Sequence, residues 1–131
     1  MKKTTLLNQA LSEVVAGMGH GDLLVIGDYG LPCPQGVRRI DLALRPGIPG
    51  ILDVLETVLT ELQVEAAVVA EETALKNPPV SDGLNRLLGA TPVTKVSHDE
   101  LKRISAGAVA LVRTGECTPY ANVILRAGVT F

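Results

Sequence analysis

The sequence predicts an α/β protein, an open and mostly parallel sheet with helices on both faces, three layers in all. Three observations predict it. Short apolar runs such as Leu23 to Ile26 and Val64 to Ala70 alternate with longer stretches whose apolar residues recur at helical spacing. The chain is 47% hydrophobic but only 2% aromatic, so its core must be built from Val, Leu, Ile and Ala. That composition suits strands buried under helices on both sides. No internal repeat or low-complexity linker divides the 131 residues. The length fits one domain, residues 1–131, able to bury roughly two thirds of the surface its unfolded chain exposes.

Leu7, Leu11, Val14, Val15 and Met18 lie at helical spacing, which predicts an amphipathic helix over about 5–18, ended by Gly17 and Gly19. Leu23 to Ile26 is a buried strand that stops at Gly27-Asp28-Tyr29-Gly30. Two prolines keep Leu31-Pro32-Cys33-Pro34 out of any helix. Arg39 to Leu44 alternates weakly, as a strand would, and Arg45-Pro46-Gly47-Ile48-Pro49 punctuates it. Ile51, Leu52, Leu55, Val58, Leu59 and Leu62 form the clearest helical face, and the strand Val64 to Ala70 follows. Asn77-Pro78-Pro79 is a boundary, after which Leu84, Leu87 and Leu88 predict a short helix ending at Gly89. Val93 to Val96 reads as a strand. Ser97-His98-Asp99-Glu100 matches a capping box, in which Ser97 accepts a backbone N–H near Glu100 and Glu100 reaches back. Ala108 to Val112 and Val123 to Leu125 are the last strands.

The formal net charge is -2 and no basic cluster stands out, so neither nucleic acid nor an anionic membrane is an expected partner. Cys33 and Cys117 are far apart, without CxxC spacing, and read as free thiols of a reducing, cytoplasmic environment. Polar residues interrupt the segment after Met1-Lys2-Lys3, which therefore has no apolar signal-peptide core. Phosphate-loop, GxGxxG, HExxH, GxSxG and zinc-ligand patterns are missing, so no cofactor and no metal is expected.

What remains is a scatter of polar groups at the ends of apolar runs. In open α/β sheets ligands bind at the carboxyl ends of strands, which is where Asp28 and the pair Glu71-Glu72 fall. His20, bare between Gly19 and Gly21, is suited to moving protons near neutral pH, although an exposed cap histidine would look the same. Asp28 could orient that imidazole or accept a substrate hydroxyl, or simply form the turn. His98 opens the capping-box helix, and Lys102 lies on the same helical face four residues on. In Thr118-Pro119-Tyr120-Ala121-Asn122, Pro119 stiffens the turn, Tyr120 offers a flat face with a hydroxyl, and Asn122 both donates and accepts. Such a set suits a sugar, and it equally suits a packed proline turn.

The stretches MKKTTLLNQAL, GHGD, GDYGLPCPQGV, RIDLAL, VEAAVVAEE, VSHDELK and RTGECTPYANVILRAGVTF, taken together, resemble the family that ribose pyranase shares with fucose mutarotase, over almost the whole chain. The resemblance implies His20 as the catalytic residue, and Asp28, His98, Lys102, Tyr120, Ala121 and Asn122 as sugar-binding residues. It implies a cytoplasmic homo-oligomer, a decamer of two stacked pentameric rings, with sites between neighbouring subunits. The implied reaction interconverts the β-pyranose and β-furanose forms of D-ribose by acid–base ring opening and reclosure. Two positions depart from the usual pattern. Relatives commonly read GHTD and DAGLP where this chain has Gly21 and Tyr29. Action on another sugar such as L-fucose, or sugar binding without catalysis as a transport accessory, stays open at this point.

Overall fold

Asn8 starts the first helix later than the apolar spacing predicts. In the computed structural model, which describes residues 1–131, the Asn8 side chain accepts the Leu11 N–H at 2.9 Å, and α1 spans Gln9–Gly17. Asn and Asp at this position satisfy donors that the first helical turn leaves without partners. Leu6 is therefore buried ahead of the helix, while Leu7 is left exposed.

The remaining elements are β1 (Leu23–Gly27), β2 (Arg38–Asp41), α2 (Ile51–Leu59), β3 (Val64–Ala70), α3 (Glu71–Lys76), α4 (Pro78–Leu88), β4 (Val93–Val96), α5 (His98–Ser105), β5 (Ala110–Arg113) and β6 (Val123–Ala127). β2 ends three residues before Leu44, because the Asp41 carboxylate takes the Ala43 N–H at 3.1 Å and turns the chain. β5 starts at Ala110 and not at Ala108, whose N–H still closes the end of α5 on Ser105. Helix α3 was not predicted: six residues carry no periodicity to read, although two acids in its first turn favour the helix N-terminus. Asn77 separates it from α4, which begins on Pro78 and Pro79. Proline tolerates the first helical turn, where its missing N–H costs nothing.

The sheet order is β2-β5-β1-β6-β3-β4. β2, β5 and β1 pair in parallel, as do β3 and β4, while β6 runs antiparallel between β1 and β3. Five strands thus point one way and β6 alone points back, in line with a mostly parallel sheet. Alternate strand residues face opposite layers. Leu24, Ile26, Ala110, Val112, Val123 and Leu125 join α1, α2 and α4 in the larger core cluster. Val25, Leu111 and Ile124 pack on the other face with Leu101 of α5 and Leu31 of the loop. That layer is thin, resting on α5 and residues around 31–37. Leu101, fully buried, anchors α5, a burial that contributes about 1.5–3 kcal/mol.

Candidate active site

The strand directions decide which residues can meet. Asp28 follows β1, Glu71 and Glu72 follow β3, His98 follows β4, and Tyr120, Ala121 and Asn122 immediately precede the reversed β6. All of them gather at one edge, the carboxyl edge of the parallel strands. His20 precedes β1 and lies at the opposite edge. The five residues of β1 alone span roughly 16 Å. The expectation that Asp28 orients the His20 imidazole is therefore wrong within one chain, because a strand laid straight through the core separates them.

At the carboxyl edge the loop before β6 is held from several sides. Thr73 donates its hydroxyl to the Tyr120 carbonyl at 2.7 Å. Asn77, buried at the α3–α4 corner, donates from Nδ2 to Thr118 Oγ1 at 2.7 Å and to the Pro119 carbonyl at 2.9 Å. Tyr120 sits in the left-handed region, φ 56°, a conformation that side-chain-bearing residues adopt only when their surroundings enforce it. Those three bonds enforce it here. The Tyr120 ring meets the His98 ring edge-on, centroids 5.1 Å apart and planes at 82°.

Asn122 is fully buried, and its Oδ1 accepts the Asp28 N–H at 3.0 Å. Gly27 makes this approach possible: a Cβ there would lie 2.8 Å from Asn122 Oδ1 and 2.6 Å from a Leu31 methyl. The Asp28 carboxylate receives the Gly30 N–H at 2.9 Å, so the turn-forming role read from the sequence is present. A concavity of about 290 Å³ opens beside it, lined by Asp28, Tyr29, Gly30, Glu116, Cys117, Thr118 and Pro119. Tyr29 is exposed at its rim, and the Arg113 guanidinium lies 5.9 Å from the ring centroid. The ring thus stacks under a cation at the rim and does not enter the core.

Helix α5 carries His98 and Lys102. Ser97 accepts the Glu100 N–H at 3.2 Å as expected, but Glu100 does not reach back, being paired with Arg103. The Glu72 carboxylate takes the His98 N–H instead, at 3.0 Å. Its own backbone N–H and that of His98 hold Glu72 below the usual carboxylate range. Lys102 is half-buried, 3.9 Å from Asp99. Two buried polar atoms of this edge, His98 Nδ1 and Asn122 Nδ2, have no hydrogen-bond partner within the chain.

At the far edge His20 is exposed, and its Nε2 lies 2.8 Å from Glu65 Oε2. Glu65 Oε1 in turn forms an ion pair with Arg126, 2.9 Å from its Nε. Gly21, at φ +88°, occupies a conformation that residues with a side chain rarely adopt, and Arg126 passes beside it. Sequence reading marked Glu72 only as one of a pair at a strand end, and it missed Glu65, Thr73, Asn77 and Gly27. The one legible signal was Glu65, a charge in an otherwise apolar strand.

Fold and edge together define a class. The chain matches the model of the RbsD / FucU transport protein family over residues 1–130 and belongs to that family. It is 86% identical to the D-ribose pyranase of Symbiobacterium thermophilum and 56% identical to that of Chloroflexus aggregans, each match covering all of both chains. The fold superposes on RbsD of Bacillus subtilis complexed with D-ribose with a TM-score of 0.97 and 43% identity, covering 100% of each chain. The fucose mutarotase of Streptococcus pneumoniae in complex with L-fucose shares the fold at 23% identity and TM-score 0.83, again over 100% of each chain.

Proposed function

We propose that this protein is an isomerase that interconverts the β-pyranose and β-furanose forms of D-ribose, acting as one domain over residues 1–131. The observation that carries this reading is the superposition, end to end, on a relative complexed with D-ribose. The 86% identity to a D-ribose pyranase supports the same sugar.

In the reaction the bond between the anomeric carbon and the ring oxygen breaks as the anomeric C–O becomes a carbonyl. A proton leaves the anomeric hydroxyl and one reaches the ring oxygen. Closure through a different hydroxyl reverses both transfers. His20 supplies the acid toward the ring oxygen, and a positioned histidine contributes about 10²- to 10⁴-fold, roughly 3 to 5 kcal/mol off the barrier. Asp28, His98, Tyr120 and Asn122 bind the sugar, with Ala121 fixing the backbone between the last two and Lys102 beside His98. His98 Nδ1 and Asn122 Nδ2, unpartnered within the chain, suit a molecule dense in hydroxyls.

Because His20 and the other site residues occupy opposite sheet edges, one subunit alone does not assemble the site. The active form is a homo-oligomer, a decamer of two pentameric rings, in which the His20 edge of one subunit meets the Tyr120 edge of its neighbour. No helix is long and apolar enough to cross a membrane. The two free cysteines fit the reducing cytoplasm.

Magnetisation exchange by proton NMR between the anomeric signals of ribose tests the activity. Faster pyranose–furanose exchange with the protein, lost in His20→Ala, is the expected result. Saturable ribose binding with unchanged exchange would replace the enzyme by a binding protein, and acceleration confined to fucose would change the substrate.

A further inference from the structure

We propose that Glu65, braced by Arg126, is the positioning residue of His20. The inference rests on His20 being the proton-transfer group. Glu65 stands second in β3, in a run whose other six residues are Val or Ala. Its carboxylate is shared, one oxygen 2.8 Å from His20 Nε2 and the other 2.9 Å from Arg126 Nε. β3 and β6, paired at Ala66 and Arg126, bring acid and guanidinium together, and β1 pairs Leu23 with the same Arg126. The three strands thus converge on one ion pair beside the histidine.

A carboxylate can only accept, so Nε2 keeps its proton toward Glu65. That leaves Nδ1, which has no partner within the chain, as the nitrogen that exchanges protons with the sugar. Neutral Nδ1 takes the proton of the anomeric hydroxyl and returns it to the ring oxygen, so no proton is gained or lost and Glu65 stays ionised throughout. The other charge on this loop, Asp22, is engaged with the Gly19 N–H at 2.8 Å. Glu65 and Arg126 are therefore the charged groups left to face the ring. Gly21 serves the same arrangement, since its open backbone lies alongside the Arg126 guanidinium.

The test is a double-mutant cycle on the holo-oligomer, read by ribose exchange and, separately, by ribose binding. Glu65→Ala is expected to lower kcat by about 10- to 100-fold, as a misplaced catalytic group does, with affinity for ribose unchanged. Glu65→Gln, whose amide oxygen accepts the same bond, is expected to restore most of that loss. In the His20→Ala background Glu65→Ala costs nothing further, because its effect passes through the imidazole. Full additivity, or an unchanged kcat in Glu65→Ala, overturns the proposal while leaving the enzyme reading intact. Retention of full exchange in His20→Ala overturns the role of His20 and this proposal with it, whereas wild-type protein that binds ribose without accelerating exchange overturns the enzyme reading instead. Nitrogen-15 NMR of the wild-type His20 ring needs no variant: a proton held on Nε2 in the neutral form supports the assignment, and one on Nδ1 refutes it.

Discussion

Asn122 bears more than its share of the site. It is buried, it closes the Asp28 turn with one end of its amide, and its other end is unpartnered within the chain. Asn122→Ala strands the Asp28 N–H and is expected to lower stability by about 1–3 kcal/mol and to weaken ribose binding, read by urea unfolding and calorimetry. Gly27→Ala is expected to fall in the same range of about 1–3 kcal/mol, because the new methyl collides with Leu31 and with Asn122. An unchanged urea midpoint would show that this turn yields easily. At His20 the exchange rate alone responds: His20→Ala is expected to lose about 10²- to 10⁴-fold in catalysis with little change in stability, since the side chain is exposed.

Helix α5 is fastened at its first turn, where Ser97 and Glu72 hold two of its free N–H groups. Ser97→Ala is expected to cost about 1 kcal/mol, measured by chemical denaturation. The Glu72 bond is pH-dependent. Its folded carboxyl is held below its ordinary value, so its contribution is complete above the unfolded value and disappears as the pH falls through the folded one. An acid titration of the His98 amide resonance follows this step, and Glu72→Gln abolishes it. Ribose binding falls with it, because the same amide belongs to the residue whose ring packs on Tyr120. The α3–α4 corner plays the matching part for the Tyr120 loop through Thr73 and Asn77.

Across the molecule the sheet separates the proposed site, with His20 at one edge and Asp28, His98, Tyr120 and Asn122 at the other. Mixing His20→Ala with Tyr120→Ala subunits, each inactive alone, is expected to recover exchange, because some interfaces then pair an intact His20 edge with an intact Tyr120 edge. Failure to recover, after sedimentation shows that mixed oligomers form, would argue for a site contained in one chain. Leu44, Leu75 and Phe131 are exposed large apolar side chains.

The sequence by itself determined the α/β layering, the position of most strands and the Ser97 cap, because apolar periodicity and side-chain capping act over a few residues. It also marked His20, Asp28, His98, Tyr120 and Asn122, through turn chemistry and the resemblance they carry together. It did not reveal α3, too short to show a period, nor Glu65, Thr73 and Asn77, whose partners lie tens of residues away. Only the tertiary structure decided that β6 runs against its neighbours. That reversal places Tyr120 beside His98 and sends Arg126 to the far edge with His20, a long-range pairing that no local pattern encodes.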